Sequence, residues 1–270
     1  MKMKLMSVLV LVLATVPAIA QTDIDGNRTT DELRITMDGQ VYSDGRTSSM
    51  GTIQVTHRYT DKFALRGIIN GGSYFGEGFG GAGLGFLIQP SHTMYFEIVG
   101  IDNSHTDTYQ AWGLSLEGGT LVYKGEGGIK GVELDYNQTI RGFGITPYDT
   151  KAYVYTPRAI IYLPKNWDLM LRAGVVDVAH DGEHNPTPLG GIRLRIPVAR
   201  RLEFTGSAGW GSEGLTNVQE LVSLSTRNYG GGVKVWLTPT LSIEALGTTS
   251  LYTVNNLSGT TYGVSLIKRW

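Results

Sequence analysis

The stretch WDLMLRAGV, residues 167–175, alternates apolar and polar side chains and decides the fold class that we predict for this chain. If the stretch is extended, its two faces carry Trp167, Leu169, Leu171, Ala173 and Val175 on one side and Asp168, Met170, Arg172 and Gly174 on the other. A period of two with one apolar face is typical of a half-buried β-strand, because successive side chains of a strand point to opposite sides. The same alternation returns at 202–210 and 241–245, so we predict an all-β protein.

Segments of this kind repeat along the whole chain and are separated by turn residues, with no amphipathic helix of useful length between them. We predict about fourteen strands, near 31–43, 49–60, 62–74, 78–89, 92–102, 107–122, 128–142, 151–163, 166–178, 187–197, 201–211, 221–237, 240–251 and 260–270. The stretch 107–142 leaves the count open, because Glu117-Gly118-Gly119 can be a turn instead of the middle of a strand. Twelve strands is the alternative.

The composition limits the class of protein. No apolar run of about 18 residues follows residue 20, which excludes membrane-spanning helices but not a membrane β-barrel, whose strands face lipid on one side only. The 37 Gly and 14 Tyr suit the turns and interfacial girdles of such a barrel, and they suit a soluble β-sandwich equally. The 23 basic and 24 acidic residues give no support to nucleic-acid binding, and the absence of Cys excludes a disulfide framework.

The N-terminus has the pattern of a signal peptide. Lys2 and Lys4 precede an apolar run over 5–16, and Ala18-Ile19-Ala20 places small side chains before a cleavage site. We therefore expect residues 1–20 to be a cleaved signal peptide, 21–30 a flexible periplasmic lead-in, and 31–270 the barrel. A protein exported in this way, without Cys, is expected in the bacterial outer membrane rather than anchored as a lipoprotein.

The predicted connections alternate between short and long. The short ones are 61–62, 89–91, 164–166, 197–200 and 238–240, and the long polar ones are 102–107, 143–150, 179–188, 211–220 and 252–259. Short turns at one end and longer loops at the other are the arrangement of outer-membrane barrels, which need an even number of strands when both termini are periplasmic. The predicted fold is thus a transmembrane antiparallel up-and-down β-barrel with both termini in the periplasm.

Charged residues on the polar faces are expected to line the lumen, because an Arg or Lys facing lipid at the midplane costs about 2–4 kcal/mol. These inward positions are Arg34, Arg58, Arg66, Glu97, Glu117, Glu133, Asp135, Arg141, Arg158, Asp168, Arg172, Arg193, Arg195, Glu203, Lys234, Glu244 and Arg269. Wide porins tend to segregate charge, whereas mixed signs can pair across the interior and narrow it. The pattern therefore favours a small or partly occluded pore.

Two polar segments were considered as sites of chemistry. His180 and His184 have ligand-like spacing, but the Gly and Pro residues around them predict a solvated loop instead of a metal-binding helix. Asp102, His105 and Asp107 contain the carboxylates and imidazole that a hydrolase at the extracellular rim would use as a general base. For both segments an ordinary polar loop is the better interpretation, so we predict no enzyme activity, no metal and no cofactor.

The C-terminal strand carries the sharpest local pattern. Tyr262, Val264, Leu266 and Trp270 share one face of a segment that ends on an aromatic residue, and this ending resembles the signal that the barrel-assembly machinery reads. Lys268 departs from that pattern, since an apolar residue is expected there, and Trp stands where Phe is more usual.

The whole predicted mature chain resembles bacterial outer-membrane β-barrels, and within them it is most similar to the YaiO-type barrel family. The passages that carry this resemblance are 42–45 (YSDG), 111–123 (AWGLSLEGGTLVY), 234–252 (KVWLTPTLSIEALGTTSLY) and 262–270 (YGVSLIKRW). The resemblance implies a location more than an activity, because the function of that family is poorly defined. The chain also lacks the helical-repeat region that some members carry at the N-terminus.

Three functions remain open at this point. The first is a narrow passive channel for small hydrophilic solutes. The second is a non-conducting barrel that anchors or receives an envelope partner, such as polysaccharide-export machinery, and the third is the rim hydrolase. In each case the expected partners are outer-membrane lipid and, during insertion, the barrel-assembly machinery, and no nucleic acid is expected.

Overall fold

A computed structural model describes residues 30–104, 110–143, 150–211, 226–252 and 257–270. Its strands are β1 Glu32–Tyr42, β2 Thr47–Thr60, β3 Phe63–Tyr74, β4 Glu77–Ser91, β5 Met94–Asn103, β6 Gln110–Lys124, β7 Gly131–Phe143, β8 Thr150–Tyr162, β9 Asp168–His180, β10 Glu183–Ala199, β11 Leu202–Trp210, β12 Thr226–Thr238, β13 Leu241–Tyr252 and β14 Leu257–Arg269. The predicted signal peptide and nearly all of the lead-in lie outside the described residues.

The strands form one closed antiparallel barrel. Each strand pairs with the next along the chain, and β14 closes the ring on β1 from Glu32 opposite Arg269 to Tyr42 opposite Gly259. The prediction of fourteen strands is confirmed and the alternative of twelve is wrong, because β6 runs without a turn through Glu117-Gly118-Gly119. A closed ring has no free edge, so its ladders pair the backbone groups without a second sheet, and this excludes the sandwich.

The two ends of the barrel differ in their connections. We call the end that holds Glu32 and Arg269 the terminal end, and the opposite end the loop end. The predicted long loop at 179–188 is wrong: β9 and β10 are joined by the two-residue turn Asp181-Gly182, both at positive φ (52° and 82°), as a tight hairpin requires. The alternation is also less strict than predicted, since 75–76 at the loop end is short and 125–130 at the terminal end is longer.

The β9–β10 hairpin extends beyond the pairing of β10 with β11, which ends at Gly190 opposite Trp210. In the two-residue hairpin, the N–H groups of even-numbered residues of β10 point toward β11. Pro186 and Pro188 occupy two of these positions and have no N–H to donate, so the ladder cannot continue there. The two prolines thus end the pairing of β10 with β11.

Register assigns every strand residue to one of two faces, because residues directly opposite in an antiparallel pair share a face. The outer face is apolar, with large exposed side chains such as Ile69 (65 %) and Leu84 (68 %). Aromatic residues mark both of its borders, with Tyr59, Phe63, Tyr123 and Trp270 toward the terminal end and Trp112, Tyr153, Trp210 and Tyr229 toward the loop end. An apolar band between aromatic girdles is the surface of a transmembrane barrel. No helix within the described residues is long and apolar enough to span a bilayer.

Candidate functional site: the barrel interior

The inner face carries the charged side chains. By register, the structure places all the charged residues that we predicted to line the lumen on this face, among them Arg66, Glu97, Glu133, Asp135, Arg158, Asp168, Arg172, Arg193, Arg195, Glu203 and Glu244. They do not share one environment. Some are sealed in buried networks and others keep contact with solvent, and this difference divides the interior into two walls.

The first wall is a sealed network on β5 to β8, which we call the packed wall. Arg158 lies 3.0 Å from Oε1 of Glu117 and 3.8 Å from Oδ2 of Asp135, and these three side chains are 4 %, 5 % and 0 % exposed. Tyr95 donates its hydroxyl to Glu117 at 2.7 Å, and Asn137 donates Nδ2 to the other oxygen of Glu117 at 3.3 Å. Ion pairs inside a barrel contribute only when hydrogen bonds satisfy the remaining lone pairs, as they do at Glu117.

The packed wall continues toward the terminal end. The Tyr162 hydroxyl donates to Glu133 at 2.7 Å, and Tyr162 packs with Ile160 and Met170, which are almost fully buried. Glu133 is therefore placed on the inner face but held against a neighbouring tyrosine within the wall. Solvent reaches little of these side chains.

A second network lies on the inner face at the terminal end, between β9 and β12. Arg195 pairs with Asp168 and also lies 3.3 Å from Glu203, whose other oxygen accepts a hydrogen bond from the Trp236 indole at 2.8 Å. Arg193 reaches the same Asp168 at 3.6 Å, and its side chain is 20 % exposed against 6 % for the aspartate. The guanidinium groups thus cover the carboxylate, and the lumen meets the positive side of the pair.

The second wall lies on β11 to β13, beside Arg172 of β9, and presents mostly small side chains to the lumen; we call it the open wall. The Arg172 side chain lies over the backbone of Gly191, where an added Cβ would sit 2.7 Å from Nε, and it reaches Gly209 on the next strand. Lys234 and Ser242 are inward and buried on these strands, whereas ten other inward residues are at least partly exposed: Thr205, Ser207, Gly209, Asn228, Gly230, Gly232, Glu244, Leu246, Thr248 and Ser250.

The interior also holds aliphatic side chains that the sequence analysis did not assign to it. Ile68, Val99, Ile101 and Leu246 face inward by register and are partly exposed. The signal for them was present where alternation breaks down: Ile68-Ile69 and Ile98-Val99 place apolar residues on both faces of a strand. Assignment of inward positions by polarity alone misses these residues.

Apolar side chains also gather on the inner face near the loop end. One buried cluster on β7 to β10 contains Phe143, Ala152, Val154, Val176, Val178 and Leu189. On the other side of the barrel, the hydroxyls of Tyr42 and Tyr74 form a hydrogen bond of 3.1 Å, and both side chains contact the ring of Phe75. These clusters fill part of the interior below the loop end and narrow it.

Beside that aromatic group, the β1–β2 turn carries an exposed ion pair. Arg46 Nε donates to Asp44 at 2.7 Å, and its guanidinium carbon lies 4.6 Å from the centre of the Phe75 ring. The side-chain hydrogen bond from Arg46 is the main reason why the pKa of Asp44 is below its usual 3.8. The same bond raises the pKa of Arg46, whose charge is paired with that of Asp44.

The first of the two polar segments does not assemble a metal site. His180 faces inward and bonds Thr150 at 2.6 Å, whereas His184 faces outward and bonds Asp177 at 2.7 Å, so the two imidazoles cannot share a metal. No metal-binding group of His, Asp and Glu occurs among the described residues. Asp102 pairs with outward-facing Trp112 at the end of β5, and His105 and Asp107 lie outside the described residues.

Comparison with known proteins identifies the fold and nothing finer. No family model matches the chain, and no curated protein matches it. Three similar solved structures are a Pseudomonas aeruginosa FadL homologue (TM-score 0.58, 8 % identity, 88 % of this chain and 90 % of that one), the CymD monoaromatic hydrocarbon channel (0.56, 9 %, 89 % and 88 %) and Omp33 of Acinetobacter baumannii (0.53, 11 %, 90 % and 99 %). The chain therefore has the fold of outer-membrane β-barrels, and the similarity to the YaiO-type family stays a prediction.

Proposed function

We propose that this protein lies in the bacterial outer membrane and acts as a narrow passive channel for small hydrophilic solutes. The observation that carries the proposal is the unequal interior: the buried network on β5 to β8 contrasts with a partly exposed wall of mostly small polar residues on β11 to β13. A barrel that only anchored a partner would be more stable if side chains filled its whole interior. The solved structures named above include channels with the same fold, which is compatible with this role.

The passage should prefer anions. In the Arg193–Asp168 and Arg269–Glu32 pairs the basic side chain is the more exposed member, at 20 % against 6 % and 25 % against 11 %. The turns at the terminal end add to this field with Lys62, Lys130, Lys165, Arg200 and Arg201 against Asp61 and Glu126. A passage lined by one sign of charge concentrates the opposite ion.

Single-channel recording of the refolded mature protein in planar bilayers tests the proposal. We expect steady conductance, a reversal potential that shows chloride preferred over potassium, and a shift toward potassium in Arg172→Glu and Arg193→Glu. Arg201→Glu makes the same charge change in the β10–β11 turn and is the matched control, with a much smaller shift expected. Absence of conductance from protein shown to be inserted and folded would reject the channel and favour a docking barrel.

The location and processing are tested separately in cells. We propose cleavage after Ala20 and periplasmic termini, and the mostly short turns of the terminal end support the proposed orientation. N-terminal sequencing of the membrane-extracted protein should begin at Gln21. An epitope added after Trp270 should be protected in intact cells, and labelling of that epitope from outside would reject the proposed orientation.

A further inference from the structure

We propose that two neighbouring turns at the terminal end, 164–166 between β8 and β9 and 200–201 between β10 and β11, bind the headgroup of an anionic phospholipid such as phosphatidylglycerol. We call these two turns the turn site. The proposal goes beyond the proposed function, because it needs the barrel to lie in a membrane but does not need it to conduct.

The turn site carries three exposed cations, Lys165, Arg200 and Arg201, and no carboxylate. None of the three side chains makes a hydrogen bond or an ion pair with another residue in the described part of the chain. Their charges are therefore available to a ligand from outside the protein.

The nearest carboxylates in sequence do not neutralise these cations. Asp168 begins β9 and Glu203 follows the first residue of β11, but both lie on the inner face, where Arg195 pairs with both of them. Asp168 also lies 3.6 Å from Arg193, and the other oxygen of Glu203 accepts a hydrogen bond from the Trp236 indole at 2.8 Å. The inner network thus satisfies both acids and leaves the turns positive.

The other four connections at the terminal end, all of them within the described residues, are built differently. Those at 92–93 and 239–240 contain no Lys, Arg or carboxylate, and those at 61–62 and 125–130 contain one carboxylate for each lysine. The excess positive charge of these connections is therefore concentrated on the side of β8 to β11.

The two turns are neighbours because β9 pairs with β10. Asp168 is opposite Arg195, and Nη2 of Arg195 donates to the backbone carbonyl of Asn166 at 3.4 Å, which ties β10 to the β8–β9 turn. Continuation of this register at ordinary strand spacing and rise puts the Cα atoms of Lys165 and Arg200 about 8 Å apart. Both side chains are long and flexible, so both can reach one phosphate group.

The turn site lies where the apolar band of the outer face ends. Below it, β9 and β10 present the outward cross-strand pairs Leu169–Leu194 and Leu171–Ile192. Turns this short hold their cations close to the aromatic girdle of the terminal end, and such girdles mark the headgroup layer of a membrane. A lipid fits both surfaces, with its phosphate at the cations and its acyl chains on the leucines, whereas a partner farther from the membrane would contact the cations alone.

The chemistry of the side chains suits a phosphate. A guanidinium group binds phosphate oxygens through two parallel N–H donors, and a lysine ammonium adds a point charge. Each cation near an anionic membrane surface raises affinity about fivefold. Phosphatidylcholine has the same chains and a phosphate but no net charge, so it is the direct comparison for phosphatidylglycerol.

Native mass spectrometry of the full mature protein in a neutral detergent, titrated with each of the two lipids, measures their affinities. We expect phosphatidylglycerol to bind about tenfold more tightly than phosphatidylcholine. Lys165→Gln and Arg200→Gln should each weaken phosphatidylglycerol binding about fivefold and leave phosphatidylcholine unchanged. Arg200→Lys keeps the charge and should lose less than Arg200→Gln.

Matched controls separate the site from the general charge of this end of the barrel. Lys62→Gln makes the same charge change in a turn that also holds Asp61, and it should bind phosphatidylglycerol as the parent protein does. Heat-modifiable gel mobility checks that every variant is folded.

Three results would overturn the proposal. The first is equal affinity of the parent protein for the two lipids. The second is a loss in Lys62→Gln as large as in Lys165→Gln, which would show a diffuse field instead of a site. The third is competition by glycerol phosphate as effective as by the lipid, which would show an anion site without a lipid. None of these measurements uses conductance, so failure of the channel and failure of the turn site are distinguishable.

Discussion

Replacement of Arg158 by Met is the sharpest test of the packed wall. The side chain of Arg158 is 4 % exposed and faces Glu117 and Asp135, which are 5 % and 0 % exposed. Met has a similar apolar stem but leaves two buried carboxylates without their cation. Breaking a buried ion pair from one side costs about 3–5 kcal/mol, because the remaining charge is neither solvated nor compensated. We expect Arg158→Met to lower the free energy of unfolding by that amount.

A triple variant tests whether the uncompensated carboxylates cause the loss of stability in Arg158→Met. The triple variant Arg158→Met, Glu117→Gln, Asp135→Asn removes all three charges, while the new Gln can still accept from Tyr95. We expect it to recover most of the loss. Arg201→Met, in an exposed turn, should change stability by no more than about 0.5 kcal/mol.

Urea unfolding of each variant refolded into lipid vesicles, followed by tryptophan fluorescence and circular dichroism, gives these free energies. A cost below about 1 kcal/mol for Arg158→Met would mean that water already reaches the ion pair, in line with exposed pairs. The packed wall would then be part of the pore, and the two-wall description of the interior would be refuted. A triple variant no more stable than the single one would refute uncompensated charge as the cause.

Three further predictions follow from other parts of the barrel. Gly119→Ala should destabilise the protein by about 1–3 kcal/mol in the same assay, because the new Cβ would sit 2.1 Å from Oδ1 of Asp135 and 2.5 Å from Tyr95, whereas Gly206→Ala meets nothing within 4 Å and should be tolerated. The pKa of Asp31 should lie below 3.8 by carboxyl NMR, because the Arg58 backbone N–H and then the His57 side chain stabilise the carboxylate. Since this folded-state pKa is depressed, the stabilisation is present above the unfolded pKa and is lost as pH falls through the folded one, and a measured pKa at or above 3.8 contradicts the contact. Trp270→Ala and Leu266→Ser should reduce the amount of barrel assembled in cells severalfold compared with Lys268→Ser, as measured by heat-modifiable gel mobility, and equal assembly of all three would reject the C-terminal signal.

The sequence was enough to predict the strands and their number. Period-two alternation is local, so stretches such as 167–175 and 202–210 identify strands without knowledge of their partners. The turn at 181–182 was missed for an equally local reason. Asp181-Gly182 is a strong hairpin signal, but Pro186 and Pro188 suggested a loop. In the structure these two prolines lie in β10, beyond the point where its pairing with β11 ends.

The interior could be predicted only in part. Alternation alone assigned the charged residues to one face, because it fixes which side chains share a side of a strand. It could not tell which charges are sealed, since that depends on residues far apart in sequence: Tyr95, Glu117, Asp135 and Arg158 meet only when four strands are side by side. Polarity also gave the wrong criterion for Ile68 and Ile101, which face the lumen although they are apolar.

What the sequence determined by itself is therefore the repeat of strand and turn, the polar and apolar faces, and the aromatic C-terminal strand, because each depends on residues only a few positions apart. The tertiary structure decided the closure of β14 on β1 and the division of the interior into a packed and an open wall. These features come from register around a closed ring of fourteen strands, where one residue of shift would move every inward side chain to the outside. No local pattern contains that information.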